Sequence, residues 1–172
     1  RDERGRPALA MKLVRGAPWE RSLKEDFGTL PVADFLSKHI PILMDVSQAV
    51  AFAHSRGVVH RDLKPSQVMT GEFGEVLLMD WGIAMVYDDV LAAAEAPALR
   101  DTLPNRGNAP NPSGTPAYMA PEQTRSSAGD LGPWTDVFQL GGILYYILTG
   151  TSPYRAKSAN DAFTLARAAM SV

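Results

Sequence analysis

The chain of 172 residues has no cysteine, no long apolar run and little net charge. Without cysteine there is no disulfide, no thiolate catalysis and no cysteine-ligated metal, and a cytoplasmic, reducing location is expected. The longest apolar stretch runs only from Ile143 to Leu148, so we expect no membrane contact within this segment, whatever anchor lies outside it. Seventeen basic and 19 acidic residues give a net charge of −2, which offers no bulk attraction for nucleic acid.

Helical periodicity is the clearest local pattern that the chain does contain. Apolar residues recur at helical spacing from about Ile40 to Arg56, where Pro41 suits the first helical position and Gly57 suits a C-terminal cap. Further helices are predicted for segments 30–37, 135–148 and 160–170. The core face of the helix at 135–148 is predicted to consist of Leu140, Ile143, Leu144, Ile147 and Leu148. The sequence thus predicts a largely helical core.

Short apolar runs between turn residues predict strands. Strands are expected at residues 8–14 and 58–59, and a hairpin is expected from segments 68–69 and 76–79 around the glycines at 71 and 74. The stretch 87–116 is rich in alanine, proline, asparagine and glycine, and we expect a mobile loop there. Helices with a few hairpins make the predicted fold class α+β.

Three motifs follow one another in a fixed order. Residues 60–67 read H-R-D-L-K-P-S-Q, residues 80–82 read D-W-G, and residues 114–122 read G-T-P-A-Y-M-A-P-E. Together they resemble the catalytic loop, the D-F-G metal site and the end of the activation segment of a Ser/Thr protein kinase of the eukaryotic type, which bacteria also have. Gln67 stands where that family has Asn.

The resemblance implies a protein-kinase-like fold of which this chain is a part. Residues 1–16 would be the hinge and the end of the N-lobe, residues 17–172 a mainly helical C-lobe cut before its last helices, and residues 80–122 the activation segment. The chain has no G-x-G-x-x-G loop and no V-A-I-K lysine, both of which belong to the N-lobe. We therefore expect about a hundred further residues upstream, and weak phosphate transfer by the chain alone.

Three residues are implied to carry the phosphoryl transfer. Asp62 is the candidate base that accepts the proton of a substrate hydroxyl. Lys64 can reach the transferred phosphate, and in this family Leu-Lys-Pro goes with Ser/Thr rather than Tyr substrates. Thr115 is expected to form hydrogen bonds with Asp62 and Lys64, which would join the substrate platform to the catalytic loop.

The implied cofactors are ATP and Mg²⁺. Asp80 would hold a magnesium ion that bridges the phosphates, because this ion prefers carboxylate oxygen and phosphate ligands. Gln67 would hold a second ion in place of the family's Asn. Its extra methylene leaves two alternatives open, an adjusted metal site or a weak or inactive enzyme.

An adenine pocket is implied by residues that match the hinge. Met11 would be the gatekeeper, and the Lys12 carbonyl and the Val14 amide would meet the adenine edge. Met69 would form the floor of the pocket and Met79 its back.

The resemblance also implies regulatory and structural roles. Arg61 would pair with a phosphate on the activation loop, for which Thr102 and Ser113 are the candidate sites. Asp136 would accept hydrogen bonds from the backbone of the loop that contains His60, and Glu122 would pair with an arginine beyond Val172.

Two functions of different classes fit these residues. The first is a Ser/Thr protein kinase that acts on a protein substrate and works with its N-lobe and flanking domains. The alternative is a pseudokinase that serves as a binding scaffold, which Gln67 favours, whereas Asp62, Lys64, Asp80 and Thr115 favour the enzyme.

Overall fold

The computed structural model describes residues 15–169. Within this range the chain is α+β, with helices and a few short antiparallel strands. The strands are β1 (Ala17–Pro18), β2 (Val58–Val59), β3 (Val68–Thr70), β4 (Val76–Leu78) and β5 (Met85–Val86). The helices are α1 (Trp19–Asp26), α2 (Val32–His54), α3 (Asp89–Glu95), α4 (Pro97–Arg100), α5 (Pro133–Thr149) and α6 (Ala159–Ala168). None of the helices in residues 15–169 is long and apolar enough to cross a membrane.

Two small sheets frame the loop that contains the first motif. The hairpin of β3 and β4 is confirmed, with Val68 opposite Leu78, and β1 extends it to the order β1-β3-β4. The predicted strand β2 is also confirmed, and it pairs with β5. Residues 60–67 therefore leave one sheet and enter the other, which anchors both ends of the loop.

Helix α2 is one continuous helix of 23 residues, so the prediction of two helices that meet at Pro41 was wrong. Pro41 lies inside the helix on its exposed side, where a carbonyl released by the missing N–H group can be hydrated. Phe35 and His39 are buried on the opposite side. Their burial holds the N-terminal half of the helix in line with the rest.

The core lies between α1, α2 and α5. Its buried members include Trp19, Leu23, Phe35, Val46, Val50, Leu63, Tyr118, Ile143 and Ile147. Helix α5 begins at Pro133 and ends where Gly150 adopts a φ of 71°, so its predicted end is confirmed. Its predicted core face is confirmed at Ile143 and Ile147, which are buried, but is wrong at Leu144 (38% exposed) and Leu148 (60% exposed). Leu140 packs against the core as predicted, and Tyr146 and the polar Gln139 are also buried on the inner face.

The stretch 87–116 contains two short helices, α3 and α4, so its prediction as a loop was wrong for residues 89–100. Asp88 caps α3, because its Oδ1 accepts hydrogen bonds from the N–H groups of Val90 and Leu91. Ala92 is fully buried. The start of the stretch is rich in alanine and therefore has a high helix propensity. The proline and glycine of its second half make the composition of the whole stretch look like that of a loop.

Gly57 lets α3 approach the end of α2, and it provides a test of that packing. Gly57 and Gly28 share a φ of 74°, but a Cβ at Gly57 would lie 2.6 Å from the Asp88 carbonyl oxygen and 2.9 Å from the Ala92 nitrogen, whereas a Cβ at Gly28 would touch nothing within 4 Å.

We predict that Gly28→Ala lowers the free energy of unfolding by about 1–2 kcal/mol, the cost of a left-handed backbone alone. Gly57→Ala should cost about 1–3 kcal/mol more, because α3 must also shift. Urea unfolding of the full-length protein, followed by tryptophan fluorescence, measures both. Equal losses for the two variants would contradict the close packing of α3 on Gly57.

Candidate active site

The loop after β2 is held by a single buried carboxylate. Asp136, in the first turn of α5, accepts hydrogen bonds from the backbone N–H groups of His60 (2.9 Å) and Arg61 (2.8 Å). His54 contacts the same carboxylate at 2.8 Å. Arg61 has a φ of 74°, which is rare for a bulky residue and needs such bracing. These contacts are the ones that the sequence analysis assigned to Asp136.

His60 connects this loop to the strand that leads to Asp80. Its ring is fully buried, and its Nδ1 accepts a hydrogen bond from the N–H of Asp62 (3.2 Å). Because Nδ1 is an acceptor, Nε2 carries the proton and donates to the carbonyl of Met79 at 3.0 Å. The ring also packs edge to face against Trp81, with 4.7 Å between ring centroids. His60 thus fixes the spacing between the first two motifs.

Asp62, Lys64 and Thr115 form one hydrogen-bonded group. Lys64 Nζ lies 2.9 Å from Asp62 Oδ2, and the N–H of Thr115 donates to Asp62 Oδ1 at 2.8 Å. Lys64 Nζ also donates to the Thr115 hydroxyl. All three side chains are only partly buried, so the carboxylate is open to a substrate. The group places a proton acceptor beside a fixed cation.

Gln67 links Asp62 to Asp80. Its Nε2 lies 2.9 Å from Asp80 Oδ2 and 3.4 Å from Asp62 Oδ2. Asp80 is exposed and has a φ of 58°, which turns its carboxylate toward Asp62 and away from the course of β4. The longer side chain at position 67 therefore spans both carboxylates.

The side chains of Asp80 and Gln67, next to Asp62, provide some but not all of the ligands that a magnesium ion needs. Carboxylate oxygens are suitable ligands, and a half-turn of the Gln67 amide would present its oxygen instead of its nitrogen. Residues 15–169 contain no group of three or more His, Asp or Glu side chains that could hold a metal by themselves. The remaining ligands would have to be substrate phosphates and water, which is the usual arrangement for magnesium.

Two of the five residues predicted to form the adenine pocket lie within the described residues. Met69 lies half-buried on β3, and the N–H of Met79 donates to the carbonyl of Gln67 at 2.8 Å. Met11, Lys12 and Val14 lie outside the described residues. Their roles stay predictions.

Two buried glutamines that the sequence analysis missed join the loop to the end of the third motif. Gln139 Oε1 accepts from the N–H of Leu63 (2.8 Å), and Gln139 Nε2 donates to Arg61 O (2.9 Å) and to Gln123 Oε1 (2.8 Å). Gln123 Nε2 in turn donates to the carbonyls of Arg61 (2.7 Å) and Ser113 (2.9 Å). A polar residue on the inner face of an apolar helix, three positions after Asp136, was the signal for Gln139.

The Arg61 side chain is buried without an anionic partner within residues 15–169. Its guanidinium donates to the carbonyls of Ile83 (3.1 Å) and Pro110 (2.7 Å), while its Nε has no hydrogen-bond partner among the described residues. Burial lowers the pKa of Arg61, and the charge of Asp136 acts in the opposite direction. This group is therefore a cation in surroundings that would favour a nearby anion.

The two candidate phosphorylation sites differ in whether they share a hydrogen-bond acceptor with this cation. The Ser113 hydroxyl donates to the Pro110 carbonyl (3.0 Å), the same oxygen that accepts from Arg61. The Thr102 hydroxyl is exposed beyond the end of α4 and donates to the Ala98 carbonyl (2.9 Å). Only Ser113 shares a hydrogen-bonded neighbour with Arg61.

Glu122 has a neutral partner in the described part of the chain. Its Oε1 accepts a hydrogen bond from the Thr135 hydroxyl at 2.7 Å. No arginine between residues 15 and 169 forms an ion pair with it. The contact attaches the end of the third motif to the start of α5.

Comparison with known proteins gives consistent matches. The family model described as "Protein kinase domain" matches residues 9–171. The chain is 40% identical over 138 residues to the serine/threonine-protein kinase PknD of Protochlamydia amoebophila, which covers 74% of this chain and 14% of that protein. It is 33% identical over 148 residues to the serine/threonine-protein kinase PknB of Mycobacterium leprae, which covers 86% of this chain and 21% of that protein.

These matches leave most of each relative uncovered, because the chain spans only about a seventh to a fifth of their length. The family match, however, extends over nearly the whole chain. The order of the motifs and the hydrogen-bonded group of Asp62, Lys64 and Thr115 agree with it. The chain belongs to the protein kinase domain family.

Proposed function

We propose that this chain is the catalytic part of a serine/threonine protein kinase, which transfers the γ-phosphate of ATP to a Ser or Thr hydroxyl of a protein. The convergence of Asp62, Lys64 and Thr115 carries the proposal, since three residues from two distant segments form one hydrogen-bonded group. The names of the relatives support the same activity. Protein kinases use ATP and typically magnesium, and the absence of cysteine supports a cytoplasmic site of action.

Each side chain has a distinct task in this proposal. Asp62 orients the substrate hydroxyl and accepts its proton as the new bond to phosphorus forms. Lys64 holds Asp62 in place and offsets negative charge on the transferred group. Thr115 fixes both and forms the edge of the platform on which the substrate lies.

Asp80 and Gln67 would hold magnesium at the corner beside Asp62. When bound, the ion would neutralise negative charge on the phosphates during the transfer. Gln67 would offer its amide oxygen to the ion after a half-turn of the amide, whose Nε2 otherwise contacts both carboxylates. Met69 and Met79 would line the adenine pocket, and the hinge residues Met11, Lys12 and Val14 would meet the adenine edge.

The rest of the ATP site would come from an N-lobe outside this sequence. An apolar cavity of about 430 Å³ lies beside Trp81, between α2 and β4, and supports this part of the proposal. Its lining includes Phe52 and Leu77, which are large, apolar and exposed. An N-lobe element that packs there would remove this apolar surface from water. The contacts of the described residues do not favour the pseudokinase alternative. Lys64 contacts Asp62 directly, and Asp80 is linked to Asp62 through Gln67.

Phosphorylation of Ser113 would supply the anionic partner that the Arg61 guanidinium lacks among the described residues. A phosphate on this hydroxyl would lie near the shared Pro110 carbonyl and could form charge-assisted hydrogen bonds with the guanidinium. Such a bond would tie the activation segment to the residue next to Asp62.

The first test is the Asp62→Asn variant of the full-length protein. The amide cannot accept the proton, so kcat for Mg²⁺-ATP-dependent phosphorylation on Ser or Thr should fall about 10²–10⁴-fold. Asp34→Asn, which changes an exposed carboxylate on α2 in the same way, is the matched control and should keep full activity. Retained activity in Asp62→Asn, or none in the folded unaltered protein, would contradict the proposal.

Gln67→Asn tests whether the longer amide is adapted to this site. Shortening the side chain by one methylene should break the contacts with Asp62 and Asp80, and a misplacement near 1 Å can cost about a hundredfold in rate. We expect a lower rate and a higher Mg²⁺ concentration for half-maximal activity, measured by titration with the metal. Gln48→Asn on the exposed face of α2 is the control. An increase in activity would show instead that Gln67 impairs the site.

Ser113→Ala and Thr102→Ala form a matched pair for the regulatory proposal. Loss of the Ser113 hydroxyl should prevent the rise in activity that follows preincubation with Mg²⁺-ATP, whereas loss of the Thr102 hydroxyl should not. Initial rates before and after preincubation, with mass spectrometry of the modified sites, measure the difference. Normal activation of Ser113→Ala would exclude this serine as the activating site.

A further inference from the structure

A cleft of about 360 Å³ lies directly beside Thr115. One wall is formed by Thr115 and Pro116, and the other includes Arg155, Lys157 and the start of α6. The two walls are tied together where the N–H of Tyr154 donates to the carbonyl of Ala117 at 3.3 Å. The cleft is open to solvent and contains both apolar and polar surface.

The position of the cleft puts it within reach of a bound substrate. Thr115 lines the cleft and its N–H lies 2.8 Å from Asp62 Oδ1. A peptide whose hydroxyl contacts Asp62 must therefore pass Thr115. Since an extended chain advances about 3.3–3.6 Å per residue, one of its next three residues reaches the cleft.

The cleft also has unpaired positive charge. Arg155 and Lys157 are exposed, and within residues 15–169 neither forms an ion pair, in contrast to Lys24 with Glu20 and Lys38 with Asp26. One wall of the cleft therefore contains two cations that form no ion pair within residues 15–169, which the net charge of −2 does not reveal.

Two carboxylates lie on the elements next to this wall, and each accepts a hydrogen bond from a hydroxyl. Asp161, in the first turn of α6, accepts from Ser158 at 2.8 Å, and Glu122 accepts from Thr135 at 2.7 Å. Neither forms an ion pair with Arg155 or Lys157. The two cations are therefore free to bind an anionic group that enters the cleft.

We propose that this cleft binds an acidic side chain of the substrate, and that Arg155 and Lys157 select it. The substrate class is a protein with Asp or Glu within three residues of the phosphorylated Ser or Thr, on the side that lies over the cleft. The proposal rests on the proposed kinase function for the placement of the peptide. It adds a specificity that the three sequence motifs do not contain.

The test measures binding, so that it does not depend on turnover. Fluorescent peptides with Ala in place of the phosphorylated Ser carry three Asp residues on one side of that position, or three Asn residues in the same places, and a second pair has them on the other side. Fluorescence anisotropy with the full-length protein gives each Kd. One Asp peptide should bind about three- to tenfold more tightly than its Asn partner, and the difference should shrink at high salt.

Matched variants assign this preference to the cleft. Arg155→Gln with Lys157→Gln should remove the difference between the Asp and Asn peptides and leave the Kd of the Asn peptide unchanged. Arg21→Gln with Arg167→Gln removes the same charge from two exposed arginines on α1 and at the far end of α6, and should keep the preference. Equal Kd values for Asp and Asn peptides on both sides would overturn the proposal, as would equal effects of the two double variants.

The corresponding Ser peptides separate this proposal from the kinase function. Phosphate transfer to them without any difference in binding between Asp and Asn would overturn the acidic preference and leave the kinase function intact. A binding difference that the Arg155 and Lys157 variants abolish, with no transfer to any peptide, would support the cleft and contradict the kinase function.

Discussion

The carboxylate of Asp136 is the group on which the site depends. It lies fully buried at the start of α5, and its two oxygens accept the backbone N–H groups of His60 and Arg61. A buried N–H group left without an acceptor costs about 1–3 kcal/mol, so both would oppose the loop conformation if the carboxylate were absent. Because α5 packs against α2, the hydrophobic core sets the position of Asp62, which is the next residue along the chain.

Gln139 extends the same principle one helical turn further. Asp136 and Gln139 are three residues apart and so lie on one face of α5, and both are buried. Gln139 donates a hydrogen bond to Gln123, and Gln123 donates to the carbonyl of Ser113, two residues before Thr115. Through Asp136 and Gln139 on its inner face, one apolar helix therefore aligns the segment that contains Asp62 with the segment that contains Thr115. Each of these polar groups is buried but has hydrogen-bond partners, which offset the free energy of its desolvation and make the arrangement rigid.

Sequence patterns predicted the parts of this structure that are local. The hairpin of β3 and β4, the strand β2 and the end of α5 at Gly150 depend on turn residues and short-range alternation. The course of α2 through Pro41 depends on tertiary burial of Phe35 and His39, which no local pattern shows. Likewise, the contacts of Gln123 and Gln139 described above join residues 10 to 78 positions apart. They become visible only when the packing of α5 brings those segments together.

Unpaired positive charge has different consequences inside and outside the core. The Arg61 guanidinium is buried among carbonyl acceptors and forms no ion pair within residues 15–169. Desolvation of a charge without a paired counter-charge is costly, so an anion that reaches the guanidinium stabilises the conformation around it. Arg155 and Lys157 are exposed, so their lack of an ion-pair partner among the described residues costs little, and an arriving anion gains only a modest, salt-dependent attraction. In the proposed regulation, the buried cation would suit a conformational switch, because burial strengthens its attraction to a single added negative charge. In the proposed cleft, the exposed pair would suit discrimination between substrates, because its weak attraction adds to binding affinity without rearranging the site.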